Sequence, residues 1–526
     1  MIGRVCAAPA WFAALVLLAA SPGGPAAAEP AAAPAQRPAD LVLTGELTGA
    51  DHQRYRMVPF ETPPGVTRLT VRFDHDGRDQ KTVVDLGLFD GERFRGWSGG
   101  SKSEFTLSAE AATPSFLPGT LRAGRWSLLL GMPNVRPASH ARYTARLYFD
   151  RSPVPVSAEA APLRPGPGWY RGDLHMHTGH SDGTCLSQSG FRVPCPVYRT
   201  VEAAAAAGLD FIAVTDHNTT SQADALRELQ PAFDRLLLIP GREITTFQGH
   251  ANLFGPTGFV DFRLGDPAVP DADALLRAAA ASGGVLSINH PATPSGEACM
   301  GCGWTAAAVD YRLVQAVEVV NGGTLAQTGA ADGPFSGLPF WEARLNEGVR
   351  LTAVGGSDNH DPGAPRDRPS AVGRPTTAIW ARDLSVPALL DGLRAGRAFV
   401  DVDGTRGRMI DLSGAVSSGR SGPRVAMGGD LAAPAGARAR FEGRLAGVEG
   451  GRIEAVLDGR LLSVPGARGV EGEASTLAFD WRSDGRRHWL RLNGRDARGR
   501  LVLIGNPIYV NFPPRDAAAP SAAAGR

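Results

Sequence analysis

Lysine is almost missing from this 526-residue chain: Lys81 and Lys102 are the only two, and arginine supplies the rest of the positive charge. The formal net charge is only +1 at pH 7. With no basic excess, electrostatics gives no case for nucleic-acid binding. No Walker loop occurs, so P-loop chemistry lacks its usual sequence basis. Cysteine is scarce, at five residues, and histidine numbers eleven. Apolar runs long enough to cross a bilayer are absent after the N-terminal segment. The length exceeds one ordinary core; a prior of ~150 residues per domain gives roughly two to four units.

The N-terminus has the form of a secretory signal over residues 1–28. Arg4 precedes the apolar run Trp11–Ala20, and an Ala-x-Ala cleavage pattern follows near Ala28. The run falls short of the ~20 residues that span a bilayer well. An uncleaved anchor is the alternative reading. The mature protein is expected to be periplasmic or secreted, with no transmembrane span. Export changes the meaning of cysteine. Cys6 leaves with the signal, and the remaining Cys185, Cys195, Cys299 and Cys302 are an even set. Cys185–Cys195 with Cys299–Cys302 is the simplest disulfide pairing, and crossed pairings stay open. A four-cysteine zinc site is the rival reading, but only Cys299-Met-Gly-Cys302 has knuckle spacing.

Composition divides the rest. Residues 29–39 are Ala/Pro-rich and expected to be disordered. Over 40–150, short alternating segments such as Arg68–Phe73, Val83–Phe89, Trp126–Leu130 and Tyr143–Phe149 predict an antiparallel β-sandwich. Residues 151–168 read as a proline-rich linker. Over 169–402, strands predicted at Tyr170–His175, Asp210–Thr215, Leu236–Pro240, Val285–Ile288, Ala316–Val320 and Leu351–Val354 alternate with helices. The helices are expected at Val197–Ala207, Asp271–Ala281, Leu338–Asn346 and Val386–Ala395. About seven such repeats favour an α/β barrel with parallel strands. Strand signals at Arg452–Leu457, Leu477–Trp481, Trp489–Leu492 and Leu501–Ile504 predict a second all-β domain over 403–512, and 513–526 form a loose tail.

Seven of the eleven histidines lie between His175 and His360, and most sit at the end of a predicted strand. His175 and His177 end the first, Asp216-His217 the second, and Glu243 follows the third, with His250 soon after. Asn289-His290-Pro291 ends the next; Glu318 and Asn321 close the one after, and Asp358-Asn359-His360 the last. Parallel strands direct these ends to one face, where six histidines would meet Asp182, Glu243 and Asp358. Crowded carboxylates raise one another's pKa unless cations relieve them. Mixed imidazole and carboxylate shells suit Zn, Mn or Fe. His180 shares the first loop and is read apart from the ligands, as an exposed residue or a proton shuttle. His52, His75, His140 and His488 are read as ordinary surface or core residues.

In this order, Asp173-Leu-His-Met-His177, Ser181-Asp-Gly183, Thr215-Asp-His217, Gly241-Arg-Glu243, Asn289-His-Pro291 and Gly356-Ser-Asp-Asn-His360 resemble the PHP (polymerase and histidinol phosphatase) superfamily. With the signal segment, Gly249-His250, Glu318-Val-Val-Asn321 and Asn506-Pro-Ile-Tyr-Val510, the chain looks most like the secreted CehA/McbA-type metallohydrolase branch. The resemblance implies a distorted (β/α)7 TIM-like barrel flanked by β-sandwich-like domains, holding two or three divalent transition metals. It assigns His175, His177 and Asp358 to one metal. Glu243 bridges that metal to a second, also held by His250 and His290. Asp182, His217 and His360 hold a third; many members carry histidine where Asp182 stands. Cations so placed activate water and polarise the bond to be cut.

The reaction expected is hydrolysis of a phosphate ester, in a small molecule or a polymer. The same ligands would serve a carboxylic ester, amide or carbamate, and a non-catalytic envelope-binding protein with a relic barrel is the third reading. Asp216, beside His217, would orient an imidazole or move a proton, and Asp358 and His180 join it as catalytic candidates. Arg242 would meet a phosphate oxygen or form a structural ion pair, and Asn321 would face the pocket.

Overall fold

The computed structural model describes residues 37–91, 93–151, 161–296, 299, 301–418, 420–421, 423–464 and 474–513. The expected signal segment, residues 29–36, residues 152–160 of the linker and residues 514–526 of the tail lie outside the described residues. Among the described residues no helix is long and apolar enough to cross a membrane.

The alternating segments before Asp150 form two four-stranded antiparallel sheets. One orders Leu41–Thr48, His140–Asp150, Arg68–His75 and Glu104–Ser108; the other orders Arg54–Thr62, Gly124–Asn134, Val83–Asp90 and Arg93–Gly99. Leu69, Val71, Leu128, Leu130 and Leu147 are fully buried in one apolar cluster drawn from both sheets. Period-2 alternation delivers every second side chain to that shared interior.

From Gly168 onward strands and helices mix. The strands β1 (Gly168–Asp173), β2 (Phe211–Val214), β3 (Leu237–Thr246), β4 (Gly249–Phe254), β5 (Val285–Ile288), β6 (Ala316–Asn321) and β7 (Thr352–Gly356) are neighbours in that order. The strands β8 (Thr376–Ala381) and β9 (Ala398–Asp401) extend the sheet from β1. The helices are α1 (Val197–Ala207), α2 (Ala223–Leu229), α3 (Ala272–Ala281), α4 (Gly322–Thr328), α5 (Leu338–Glu347) and α6 (Val386–Arg394). Local chemistry sets their ends. The Asp271 side chain accepts from Ala274 N at the start of α3, Ser385 does the same for Ala388 N in α6, and Gly208 closes α1 in the left-handed conformation.

Two expectations need correction. The regular seven-fold repeat of parallel strand and helix is not met. Ladders are parallel from β1 through β3 and from β5 through β7, but β4 is antiparallel to both its neighbours. Only Phe247 and Gln248 separate β3 from β4, too short a link for the crossover of roughly a dozen residues that a parallel neighbour needs. Beyond β1 and β7 the chain runs side by side, with Asp358 N donating to His175 O and His177 N to Asn359 O, each at 2.8 Å.

The C-terminal strands are also not a separate sheet system throughout. Met409–Ser418, Arg438–Ala446 and Ala474–Arg482 pair among themselves. Leu501–Gly505, however, pairs with β9, so the sheet that carries the histidines continues through His488–Arg495 to Arg452–Leu457. That added strand covers what would be an open edge of hydrogen-bonding groups. Asn506 rivets the join, its buried amide bonding Ala353 N, Ala353 O and Ala398 O. The four cysteines form the disulfides Cys185–Cys195 and Cys299–Cys302, which removes the four-cysteine zinc reading.

Candidate metal centre

Glu243, 1% exposed on β3, is the hub. Its Oε1 lies 3.4 Å from His175 Nε2, 3.2 Å from His250 Nδ1 and 3.3 Å from His290 Nε2. Its Oε2 lies 2.9 Å from His217 Nδ1 and 3.6 Å from His177 Nε2. One carboxylate therefore faces five imidazoles, and Asn289 Nδ2 donates to it at 2.8 Å.

The elements explain this convergence. β3 runs on to Thr246, so Glu243 is carried by the strand rather than following it. The β3–β4 hairpin sets Asn252 opposite Glu243, and His250, two residues away on the same face, turns back toward the carboxylate. His175 and His177 follow β1, His217 follows β2, His290 follows β5, and Asp358 and His360 follow β7. His290 and Asp358 have φ of 26° and 53°, a left-handed conformation uncommon for residues other than glycine. Gly356 leaves the room that His175 needs: a Cβ there would lie 2.4 Å from the His175 Cβ and 2.8 Å from Glu318 Oε1.

Asp358 Oδ1 lies 3.1 Å from His177 Nε2 and 3.3 Å from His175 Nε2, which groups these three. Toward solvent a second group forms. Asp182 stands 3.3 Å from His360 Nε2, 3.6 Å from His217 Nε2 and 3.8 Å from His177 Nδ1. Two further groups are His217 with Glu243 and His250, and His175 with His290 and Glu318. All nine residues expected to bind metal thus converge, although His217 rather than His290 is grouped with Glu243 and His250.

The donor set fits cations on a specific ground. His175 Nε2 and His250 Nε2 are buried and have no hydrogen-bond partner. Leaving such a nitrogen unmatched costs about 1–3 kcal/mol, unless an electron-pair acceptor takes it up. Three imidazoles are braced through Nδ1: His175 to Glu318 Oε1 at 3.1 Å, His290 to Cys302 O at 3.0 Å, and His360 to Asp358 O at 2.9 Å. A proton on Nδ1 leaves Nε2 as the free ligand atom, the usual arrangement behind metal-bound histidine. Glu318 stands close enough to His175 and His290 to be a ligand itself. Its oxygens, however, face His175 Nδ1 and accept from His290 N and Asn321 Nδ2, so it acts as the brace behind His175.

Charge follows geometry. Burial alone would raise Glu243 and Asp358, but the facing histidines, His175 foremost, hold both well below the ordinary carboxylate range. Burial alone would depress the histidines, yet the facing carboxylates raise His175, His217 and His290, and raise His360 to about 9. His177 is depressed by its burial. The facing carboxylates thus favour the charged form of His175, His217, His290 and His360, and a cation bound here would take the place of their protons.

Other expected residues land elsewhere. Asp216 is buried beneath the first loop, accepting from Thr178 N at 2.7 Å, Thr178 Oγ1 at 2.8 Å and Ser181 Oγ at 2.7 Å. It holds that loop in place. His180 is exposed, with Nδ1 2.7 Å from Ser221 Oγ. Arg242 is buried and donates to the backbone carbonyls of Pro256 and Gly258; burial lowers its pKa to about 10. Asn321 does reach the site, donating to Glu318 Oε2 at 3.0 Å and Asp358 Oδ2 at 3.3 Å. Sequence reasoning gave no role to Asp173. Wholly buried, it accepts from the backbone N–H groups of Ser357 and Gly373, so the β1 end is locked to the loop that carries Asp358. Its place beside the His-x-His was the only signal.

No family model and no curated protein matches this sequence. Among solved structures the chain is similar to a two-domain protein containing a predicted PHP-like metal-dependent phosphoesterase from Bacteroides vulgatus ATCC 8482. The identity is 19% and the TM-score 0.35, over 66% of this chain and 98% of that one.

Proposed function

We propose that this protein is an exported, metal-dependent hydrolase of the PHP type, most directly a phosphoesterase. The observation that carries the reading is the Glu243 carboxylate facing five imidazoles, with buried, unmatched Nε2 atoms on His175 and His250. We read the seven strands β1–β7 as a distorted barrel whose mouth gathers this donor set. Two or three divalent ions of Zn, Mn or Fe would be held by His175, His177 and Asp358, by Glu243, His250 and His290 with His217, and by Asp182, His217 and His360. When bound, such ions supply Lewis acidity to a water nucleophile and to the bond being cut.

The chain's own residues do the rest. Asn321 orients Asp358 and Glu318 orients His175, which fixes the ligand atoms before substrate arrives. Asp216 holds the His177–Gly183 loop. His180, exposed on that loop with Nδ1 engaged by Ser221, presents Nε2 to give a proton to the departing oxygen. The two disulfides support the reading that the chain works outside the reducing cytoplasm. A second reading keeps the ions but cleaves a carboxylic ester or carbamate. It is favoured by Arg242, the cation adjacent to Glu243, which donates to backbone carbonyls and not toward the donor set.

The test is elemental analysis of the purified protein, then a substrate panel of phosphate monoesters and diesters beside aryl esters and carbamates. Bound transition metal with phosphate-ester turnover, lost in His175→Ala and Asp358→Ala, is expected. Turnover of carbamates or aryl esters alone selects the second reading. A protein that binds no metal, or turns nothing over when loaded, refutes both.

A further inference from the structure

We infer that the Cys185–Cys195 disulfide is a positioning device for the outer cation: it holds Asp182 and His360 in ligand geometry, while the inner ligands stand without it. The inference rests on the metal-centre reading above. Asp182 needs outside help. Its side chain is 55% exposed, and among the described residues, apart from the facing histidines, only Ser181 Oγ reaches its carboxylate, at 3.3 Å. Nothing in its own surroundings fixes it, so its position is that of the loop 178–183.

Asp216 holds that loop at Thr178 and Ser181, and the cystine clamps its two glycines. Gly179 N donates to Cys195 O at 2.6 Å, Cys195 N donates to Gly183 O at 2.9 Å, and Gly183 N closes the turn on Thr178 O. The packing leaves no slack. A Cβ on Gly179 would lie 2.8 Å from Cys195 N, and one on Gly183 would lie 2.7 Å from His177 C. The hairpin that bears the disulfide, Thr184–Leu186 paired with Arg192–Pro194, also takes hold of the other outer ligand: Thr184 N donates to His360 O at 2.7 Å. Arg192 Nη2 reaches Asp361 Oδ2, next to His360, at 3.2 Å. Asp182 and His360 thus both hang from a hairpin closed by one covalent bond between two buried cysteines ten positions apart.

The inner group is anchored differently. Glu243 and His250 lie on β3 and β4, and His175 and His290 are held by Glu318 from β6. None of these links passes through Cys185 or Cys195. Opening the cystine should therefore weaken one cation and spare the others. Support of a ligand from behind is worth about 10–100-fold in metal affinity.

The experiment is Zn2+ binding by the full chain and by C185A/C195A, read as equivalents retained against graded chelator, with circular dichroism as the check on folding. The expected result is loss of one weak equivalent, by about tenfold or more in affinity, with the tighter equivalents and the dichroism unchanged. Excess Zn2+ should restore turnover. Should C185A/C195A not fold, Gly179→Ala in the oxidised chain, whose Cβ would strike the Pro194–Cys195 backbone and no ligand, displaces the same loop and should show the same selective loss. Wild-type equivalents and affinities in the folded variant overturn the inference, as does loss of inner and outer equivalents together. Wild-type protein that binds no Zn2+ overturns the metal reading itself, so the two failures are distinguishable.

Discussion

The inner and outer halves of the donor set use the same residue types in opposite settings. Glu243 and its neighbours are buried on or directly after strands, whereas Asp182, His217 and His360 have side chains 55%, 27% and 39% exposed. In the inner half every charge must be balanced on the spot, because desolvation punishes any that is not. In the outer half water can take over from a missing partner. The contrast predicts a tightly held inner pair of ions and an outer one that exchanges. It also separates two ways of fixing a ligand: by the sheet that carries it, or by a loop clamped from behind.

The most severe way to break the contrast is Glu243→Gln. The amide keeps the shape but removes the charge that five imidazoles face, and it sets an N–H₂ against ring nitrogens that need an acceptor or an ion. Turnover should fall by at least about 100-fold, and the inner equivalents should go with it. Elemental analysis beside steady-state rates checks this. A variant that retains its metal and more than a tenth of its activity would remove Glu243 from the hub.

Much of this half was legible in the sequence, for a physical reason. A ligand must be His, Asp or Glu, and parallel strands must bring it to one face. The recurrence of those residues at strand ends, from His175 to His360, is therefore a signal that no single position carries. What stayed hidden is made of backbone. The carbonyl of Cys302 that orients His290, the amides of Ser357 and Gly373 that hold Asp173, and the pairing of Leu501–Gly505 with β9 are contacts between residues far apart in sequence. Almost any residue type can supply such backbone groups, proline's missing N–H aside, so composition and spacing record nothing of them. The reversed direction of β4 was legible in principle, from the two-residue gap between apolar runs. Arg242 misled because proximity to Glu243 in sequence says nothing about direction in a strand, where neighbours point to opposite faces.

Asp182→Ala probes the outer half, with a smaller expected effect. The variant removes one exposed carboxylate and leaves His177, His217 and His360 in place, so turnover should fall by about 10–100-fold at limiting metal. Added metal should recover most of it, which Glu243→Gln would not permit. Activity measured across a metal titration reads the difference. Failure of excess metal to restore turnover would show that Asp182 does more than hold an ion, and would erase the distinction between the two halves.

The smallest effect belongs to a histidine–carboxylate cluster that should hold a proton and no metal. His488, in the C-terminal strands, stands between Asp458 and Asp484, with Nδ1 at Asp458 and Nε2 2.9 Å from Asp484 Oδ1. One imidazole flanked by two acids has both nitrogens engaged as donors, so no lone pair is left for an ion. Burial alone would depress His488, but the hydrogen bonds and charges of the two aspartates outweigh it and raise its pKa. Asp484 is held below its usual range, first by the hydrogen bond from His488. A histidine raised on folding stabilises most below its unfolded pKa of about 6.5, and that contribution disappears as pH rises through the folded value. Wild-type Tm should therefore decline relative to His488→Gln as pH climbs from about 6.5, with metal content the same in both proteins. Parallel Tm curves over that window would show that the proton is not held there. A lost metal equivalent in His488→Gln would mean that imidazole and carboxylate at hydrogen-bonding distance suffice for an ion without the unmatched nitrogens found around Glu243.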